Sequence, residues 1–206
     1  MPPLPERRLK ALAVFCGSSP GTDPAFRQAA VTLGKALAGH NTDLIYGGGG
    51  TGMMGAVADA VLADHGRIVG VIPQFLIDKE LAHRGATEMI VVPDMHTRKR
   101  IMFERCDAFC ILAGGVGTLD EMFEIITWRQ LHLHNKPIIV LNTSGYWTRL
   151  LQQMELISAE GFAHHGHEAL LTVVDRVEDV IPTVERELLT PKQRVTFPTG
   201  SPAKLG

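Results

Sequence analysis

Two glycine-rich turns, an arginine and a glutamate are the residues of this chain best placed to handle a phosphorylated small molecule. The first turn, Gly47-Gly48-Gly49-Gly50-Thr51-Gly52, follows the apolar run Asp43-Leu44-Ile45-Tyr46. The second, Gly114-Gly115-Val116-Gly117-Thr118, follows Ala108-Phe109-Cys110-Ile111-Leu112. Each leads into a helical pattern. A helix start leaves backbone N–H groups free, and glycine lets an anion come close to them. Glu121 lies just beyond the second turn and has two readings. Thr118-Leu119-Asp120-Glu121 fits a capping box, with Thr118 as the cap and Glu121 at the third helical position. Alternatively, Glu121 is a carboxylate beside a phosphate cradle, able to orient a hydroxyl or water or to stabilise a cationic sugar. Arg98, in Arg98-Lys99-Arg100, belongs either to a solvated charged stretch or to a cleft. Met95, Arg98 and Met102 share one helical face, and a guanidinium framed by apolar side chains fits a cleft better.

Other motifs weigh less. The first turn matches G-x-G-x-x-G as Gly47, Gly49 and Gly52, but it follows the second strand instead of the first. The following strand ends in Ile72-Pro73-Gln74, without the acid expected roughly 20 residues on for a dinucleotide ribose. NAD binding is therefore rejected, and without G-x-x-x-x-G-K-[ST] so is a P-loop NTPase. His164-His165-Gly166-His167, His132 and His134 fall on helix-to-strand turns, away from the expected ligand face, and lack companion ligands at a familiar spacing. No metal site is expected. Cys16 stands near the site, but the sequence gives it no paired base, and it reads as a small buried thiol.

The elements that must position these residues alternate along the chain. Strand patterns cover Ala11 to Phe15, Leu44 to Tyr46, Arg67 to Ile72, Glu88 to Val92, Ala108 to Leu112, Pro137 to Leu141 and Leu171 to Val174. Helical patterns run from Asp23-Pro24 to about Gly39, Met53 to about His65, Asp94 to about Cys106, about Thr118 to Leu131, about Tyr146 to Glu160, and onward to about Leu189. Ile138-Ile139-Val140-Leu141 and Ile68-Val69-Gly70-Val71-Ile72 are apolar without alternation, as in strands covered on both faces. The pattern predicts an α/β fold: a single-domain, Rossmann-like, doubly wound parallel sheet with helices on both faces. Ligands bind such sheets at the carboxyl ends of the strands, where the strand order reverses. Residues 1–190 read as the domain and 191–206, rich in proline, glycine and polar residues, as a mobile tail.

Composition closes off several classes. The 206 residues are 45% hydrophobic and 20% charged, with a net charge of −2. That balance argues against gripping nucleic acid by bulk charge. No apolar stretch is long enough to span a membrane, and the start of the chain lacks a signal-peptide core. Three cysteines, without a CxxC pair, point to reduced thiols and a cytoplasmic location.

Met95-His96-Thr97-Arg98-Lys99, Asp107-Ala108-Phe109 and Gly114-Gly115-Val116-Gly117-Thr118-Leu119-Asp120-Glu121 together resemble the Lonely guy family of cytokinin-activating enzymes, whose signature is PGGxGTxxE with an upstream RK pair. Phe15-Cys16-Gly17-Ser18-Ser19, Tyr46-Gly47-Gly48-Gly49 and Glu80-Leu81-Ala82-His83 extend the resemblance over nearly the whole chain. It implies a homodimeric hydrolase that splits cytokinin riboside 5′-monophosphates, and AMP in many members, into free base and ribose 5-phosphate. It implies catalytic roles for Arg98 and Glu121. Substrate contacts are implied for Ser18, Gly48, Gly49, Glu80, Met95, Lys99, Gly115, Gly117 and Thr118. No cofactor is implied. The signature proline is Ala113 here, a change expected to affect the stiffness of the turn more than its chemistry. Such chains are often labelled lysine decarboxylases, yet neither Lys79 nor Lys99 has a recognisable Schiff-base setting. The alternative is a non-catalytic carrier or sensor of a nucleotide or a molybdopterin-like cofactor.

Overall fold

A computed structural model describes residues 9–79, 81–163 and 166–190. Along the chain it forms β1 (Ala11–Phe15), α1 (Pro24–Gly39), β2 (Asp43–Tyr46), α2 (Gly52–Ala63), β3 (Ile68–Pro73), α3 (Gln74–Ile77), β4 (Glu88–Val92), α4 (Met95–Arg105) and β5 (Ala108–Ile111). There follow α5 (Val116–Gln130), β6 (Ile138–Leu141), α6 (Thr148–Ala159), β7 (Thr172–Val174) and α7 (Val180–Leu189). The expected tail, 191–206, and His164-His165 lie outside the described residues.

The strands make one parallel sheet in the order β4-β3-β2-β1-β5-β6-β7. The chain winds outward from β1 to β4, returns across the sheet to β5, and winds outward again to β7. Successive side chains of a strand point to opposite faces, and here both faces are dry. Leu12 and Val14 join Leu33, Leu37, Val57, Val61 and Val184 on one side. Ala13 and Phe15 join Met102, Met122, Ile126 and Leu151 on the other. Helices α1, α2 and α7 therefore cover one face, and α4, α5 and α6 the other. This is the doubly wound α/β architecture that the unalternating strands predict.

Helix starts follow local chemistry where a side chain provides the cap. Asp23 accepts from Ala25 N–H at 2.9 Å ahead of Pro24, and Asp94 accepts from Thr97 N–H at 2.7 Å. Three differences from the sequence reading matter. The short α3 interrupts the passage from β3 to β4. The helix expected from Tyr146 begins at Thr148, after a tight turn over Thr143–Gly145. Helix α5 begins at Val116, with Gly115 in the cap position and no side-chain cap bond. The capping-box reading of Thr118 and Glu121 is thereby corrected. Both lie inside the helix, three residues apart on one face, and both are buried.

Candidate active site

The strand order reverses between β1 and β5, and a cavity of about 350 Å³ opens at the carboxyl ends of the strands there. Five chain segments wall it. Gly17 and Ser18 come from the turn after β1, and Gly47, Gly49, Thr51 and Met54 from the turn after β2 and the start of α2. Ile72, Leu76 and Leu81 contribute an apolar side. Met95 and Arg98 of α4 face Gly115, Val116, Gly117, Thr118, Asp120 and Glu121 of α5 and its leading turn.

Arg98 is held from below. Its Nε–H donates to the Val71 carbonyl at 3.1 Å, and Nη2 donates to the Gly47 carbonyl at 3.2 Å. Nη1 is left towards Glu121, 3.8 Å from Oε1, with Met95 Sδ 3.7 Å away. Gly47 allows this seat, because a Cβ there would stand 1.8 Å from Nη2. Arg98 is only 7% exposed and Glu121 8%. Burial pushes the Glu121 carboxyl up to about 7, even though the Arg98 charge pulls the other way. Near neutral pH this carboxyl exchanges its proton readily, as acid–base or charge-stabilising work requires. Burial raises the Cys16 thiol well above its ordinary range, so it is no ready nucleophile.

Most of the sequence-selected residues meet in this cavity. Arg98, Glu121, Ser18, Gly49, Met95, Gly115, Gly117 and Thr118 all line it. Three do not. Gly48 lies behind the wall with φ +75°, where a Cβ would meet Ile72 Cβ at 3.0 Å, so it shapes the turn. Lys99 points from α4 to α5, its Nζ 3.0 Å from both Asp120 and Glu124. Glu80 lies outside the described residues. Met54 and Leu76 were not singled out, Asp120 and Leu81 stood only inside quoted motifs, and Gly47 was read as part of an anion cradle and not as the seat of Arg98. Gly47 could be singled out only by knowing that Arg98 lies across it.

Gly115 and Gly117 have no atom within 4 Å of where a Cβ would stand, so their backbone faces open space at the start of α5. A second cavity of about 270 Å³, walled by Phe26 and Tyr146, meets the first at Gly17, Ser18 and Gly115.

The fold and this centre define a Rossmann-like α/β protein with an arginine–carboxylate pair at its topological switch point. Residues 54–184 match the family model described as "Possible lysine decarboxylase". The chain belongs to that family, which is the Lonely guy family of the sequence resemblance. It is 43% identical over 176 residues to a cytokinin riboside 5′-monophosphate phosphoribohydrolase of Rhodococcoides fascians, covering 85% of this chain and 89% of that protein. A protein of the same name from Arabidopsis thaliana is 40% identical over 188 residues, covering 88% of each. Among solved structures, the molybdenum cofactor carrier protein of Chlamydomonas reinhardtii superposes with a TM-score of 0.66 at 21% identity, over 88% of this chain and 98% of that one. At that identity the likeness shows the shared fold. The family description would call for pyridoxal phosphate, and no lysine is among the described residues that line the cavity. Burial alone would lower the proton affinity of Lys99, but its hydrogen bonds to Asp120 and Glu124 outweigh this and raise it, which keeps the ammonium charged. Lys79 is exposed, away from the cavity.

Proposed function

We propose that this protein hydrolyses the N-glycosidic bond of cytokinin riboside 5′-monophosphates, releasing free base and ribose 5-phosphate, and that it accepts AMP. The observation that carries the reading is the Arg98–Glu121 pair, 3.8 Å apart, in a cavity that also contains the open glycines at the start of α5. The names of the relatives agree with it.

In this reading the 5′-phosphate takes the free N–H groups at Gly115, Gly117 and Thr118, where the helix start favours an anion. Ser18 and Gly49 border the same space, and Met95, Leu76 and Leu81 offer an apolar wall to the base. As the bond from C1′ to the base nitrogen breaks, positive charge builds on the ribose ring. The Glu121 carboxylate stabilises that charge and orients the water whose oxygen bonds to C1′. That water passes a proton to the Glu121 carboxylate, and the base leaves with the electron pair and takes up a proton from solvent. Arg98, fixed by two backbone carbonyls, positions the nucleotide and assists departure of the base. A carrier has no use for such a pair, which weighs against the carrier reading.

The domain acts as a homodimer in this proposal. From sequence alone the face of Ile125 and Trp128 reads either as a dimer surface or, more plainly, as buried core, and Ile125 is core. The exposed candidate is instead the outer face of α5, where Val116 (83% exposed), Leu119, Phe123 and Trp128 border a shallow groove. Among the described residues no helix is long and apolar enough to cross a membrane. The three cysteines are free and buried, which fits the cytoplasm as the proposed location.

The decisive assay incubates the purified protein with isopentenyladenosine 5′-monophosphate and, separately, AMP, and follows base release by chromatography. Release of base with ribose 5-phosphate is expected. Nucleotide binding without release overturns the hydrolase reading in favour of a carrier.

A further inference from the structure

We infer that Lys99 is a positioning residue: by neutralising Asp120 and Glu124, the two carboxylates that flank Glu121 on α5, it holds Glu121 opposite Arg98 and keeps its charge available. The inference deepens the proposed hydrolase reading and rests on it for the kinetic part of its test.

Arg98 and Lys99 are neighbours in sequence, so on a helix they point about 100° apart. Arg98 turns to the cavity. Lys99 turns to α5, and its ammonium is 3.0 Å from Asp120 Oδ2 and 3.0 Å from Glu124 Oε2. The Lys99 side chain is 8% exposed, whereas its partners are more open, Asp120 at 58% and Glu124 at 24%. A buried ammonium left alone is costly, so this geometry fixes α4 against α5. Those are the helices that carry Arg98 and Glu121. Arg98 is separately bound to carbonyls of β2's turn and β3, which leaves Glu121 as the member whose placement depends on α5.

The charges around Glu121 can be named. From α5 come Asp120 and Glu124, which favour its protonated form, and from α4 come Arg98 and Lys99, which favour its carboxylate. From the turn after β1 comes Cys16, whose thiol is neutral. Without Lys99, two carboxylates within one turn of Glu121 would lose their counter-charge, and Glu121 would hold its proton more tightly. Its ionised fraction at neutral pH would then fall.

The test uses the full chain and four variants: Lys99→Met, Lys99→Arg, Asp120→Asn/Glu124→Gln, and the triple variant combining Lys99→Met with those two changes. Two readouts are taken. Carbon-13 NMR of glutamate-labelled protein gives the Glu121 titration midpoint without any need for turnover. Base release from isopentenyladenosine 5′-monophosphate gives kcat, KM and the acid limb of kcat/KM. In Lys99→Met the midpoint and the acid limb should move up by about one pH unit, and kcat at pH 7 should fall about fivefold with KM changed less than about threefold. Lys99→Arg should restore most of the activity. The triple variant, neutral at all three positions, should bring the midpoint back towards wild type; it also carries the test if Lys99→Met fails to fold. An unmoved midpoint in Lys99→Met overturns the inference, as does a midpoint that stays displaced in the triple variant. A raised KM with unchanged kcat also overturns it and returns Lys99 to the substrate-contact role the resemblance implies. If wild-type protein releases no base, the hydrolase reading fails, while the NMR midpoints still decide the role of Lys99.

Discussion

At the end of β2 the glycines are pressed against other parts of the molecule, whereas at the end of β5 two of them face open space. Gly47 lies under the Arg98 guanidinium and Gly48 against Ile72, and Gly50 N–H and Gly48 C=O are bonded to Leu81 and His83 of the passage towards β4. Gly115 and Gly117 have nothing near them but the cavity. Two turns of similar composition thus separate into a seat for a charged side chain and an open helix start. What separates them is what comes to lie on each: the first is covered by α4 and the segment after α3, and the second is left uncovered at the strand-order reversal. A glycine-rich turn read from sequence announces a close approach, and only the fold says whether protein or ligand makes it.

Four experiments break or sharpen that contrast. The largest effect is expected for Glu121→Gln, which keeps shape and removes the charge: turnover should drop about 10³-fold. The same change should stabilise the protein. Glu121 binds its proton more tightly folded, at about 7, than unfolded, at 4.5, so stability falls as pH rises through that window and the whole cost is present above it. Melting at pH 8 should therefore show Glu121→Gln more stable, on the order of 1–3 kcal/mol. A less stable variant with normal turnover would remove Glu121 from the centre. Next, Gly47→Ala should cost about 10²-fold in kcat, because its Cβ displaces Arg98, with only a small change in melting temperature. Wild-type kinetics for that variant would mean that the seat is dispensable. Third, kcat/KM should decline about tenfold per pH unit below about 7, as the Glu121 carboxylate takes up its proton. A flat profile from pH 5 to 8 would contradict an ionised Glu121. The smallest effect belongs to Gly117→Ala, which meets no protein atom. It should leave stability unchanged and raise KM about three- to tenfold by narrowing the phosphate space. An unchanged KM would move the phosphate elsewhere.

The strands and most helices were legible because each carries an unambiguous local signal. Ile138 to Leu141 is apolar at every position since both faces are covered, and Asp23-Pro24 and Asp94 cap their helices as their side chains dictate. The start of α5 was not legible for a related reason. Capping rules look for a side-chain acceptor, and Gly115 has none, so the pattern drew attention to Thr118, three residues too late. Arg98 and Glu121 could be paired through the predicted shared face and the family resemblance. Lys99 entered the group through the RK pair of the family resemblance, and adjacent residues on a helix point about 100° apart, so the pair does not share a face. The side of α5 that meets the sheet was left open between a dimer surface and buried core, because a helix with apolar residues on much of its circumference does not say which side turns inward; here Ile125 and Met122 pack inward and Phe123 outward.

The seam between β1 and β5 has a consequence for how the molecule comes together. Leu12 pairs with Ala108, 96 residues away along the chain, and the bonds from Leu112 N–H to Phe15 and from Gly17 N–H to Ala113 close the same seam at its carboxyl end. Pairings this distant carry a large loop-closure cost and tend to form late. The cavity straddles that seam, so it exists only once both halves of the sheet have met. A nucleotide seated there would act as a clasp across the sheet's longest closure. At a hundred times its dissociation constant it would add about 2.7 kcal/mol to the folded state, which makes substrate supply a determinant of how long each molecule stays assembled.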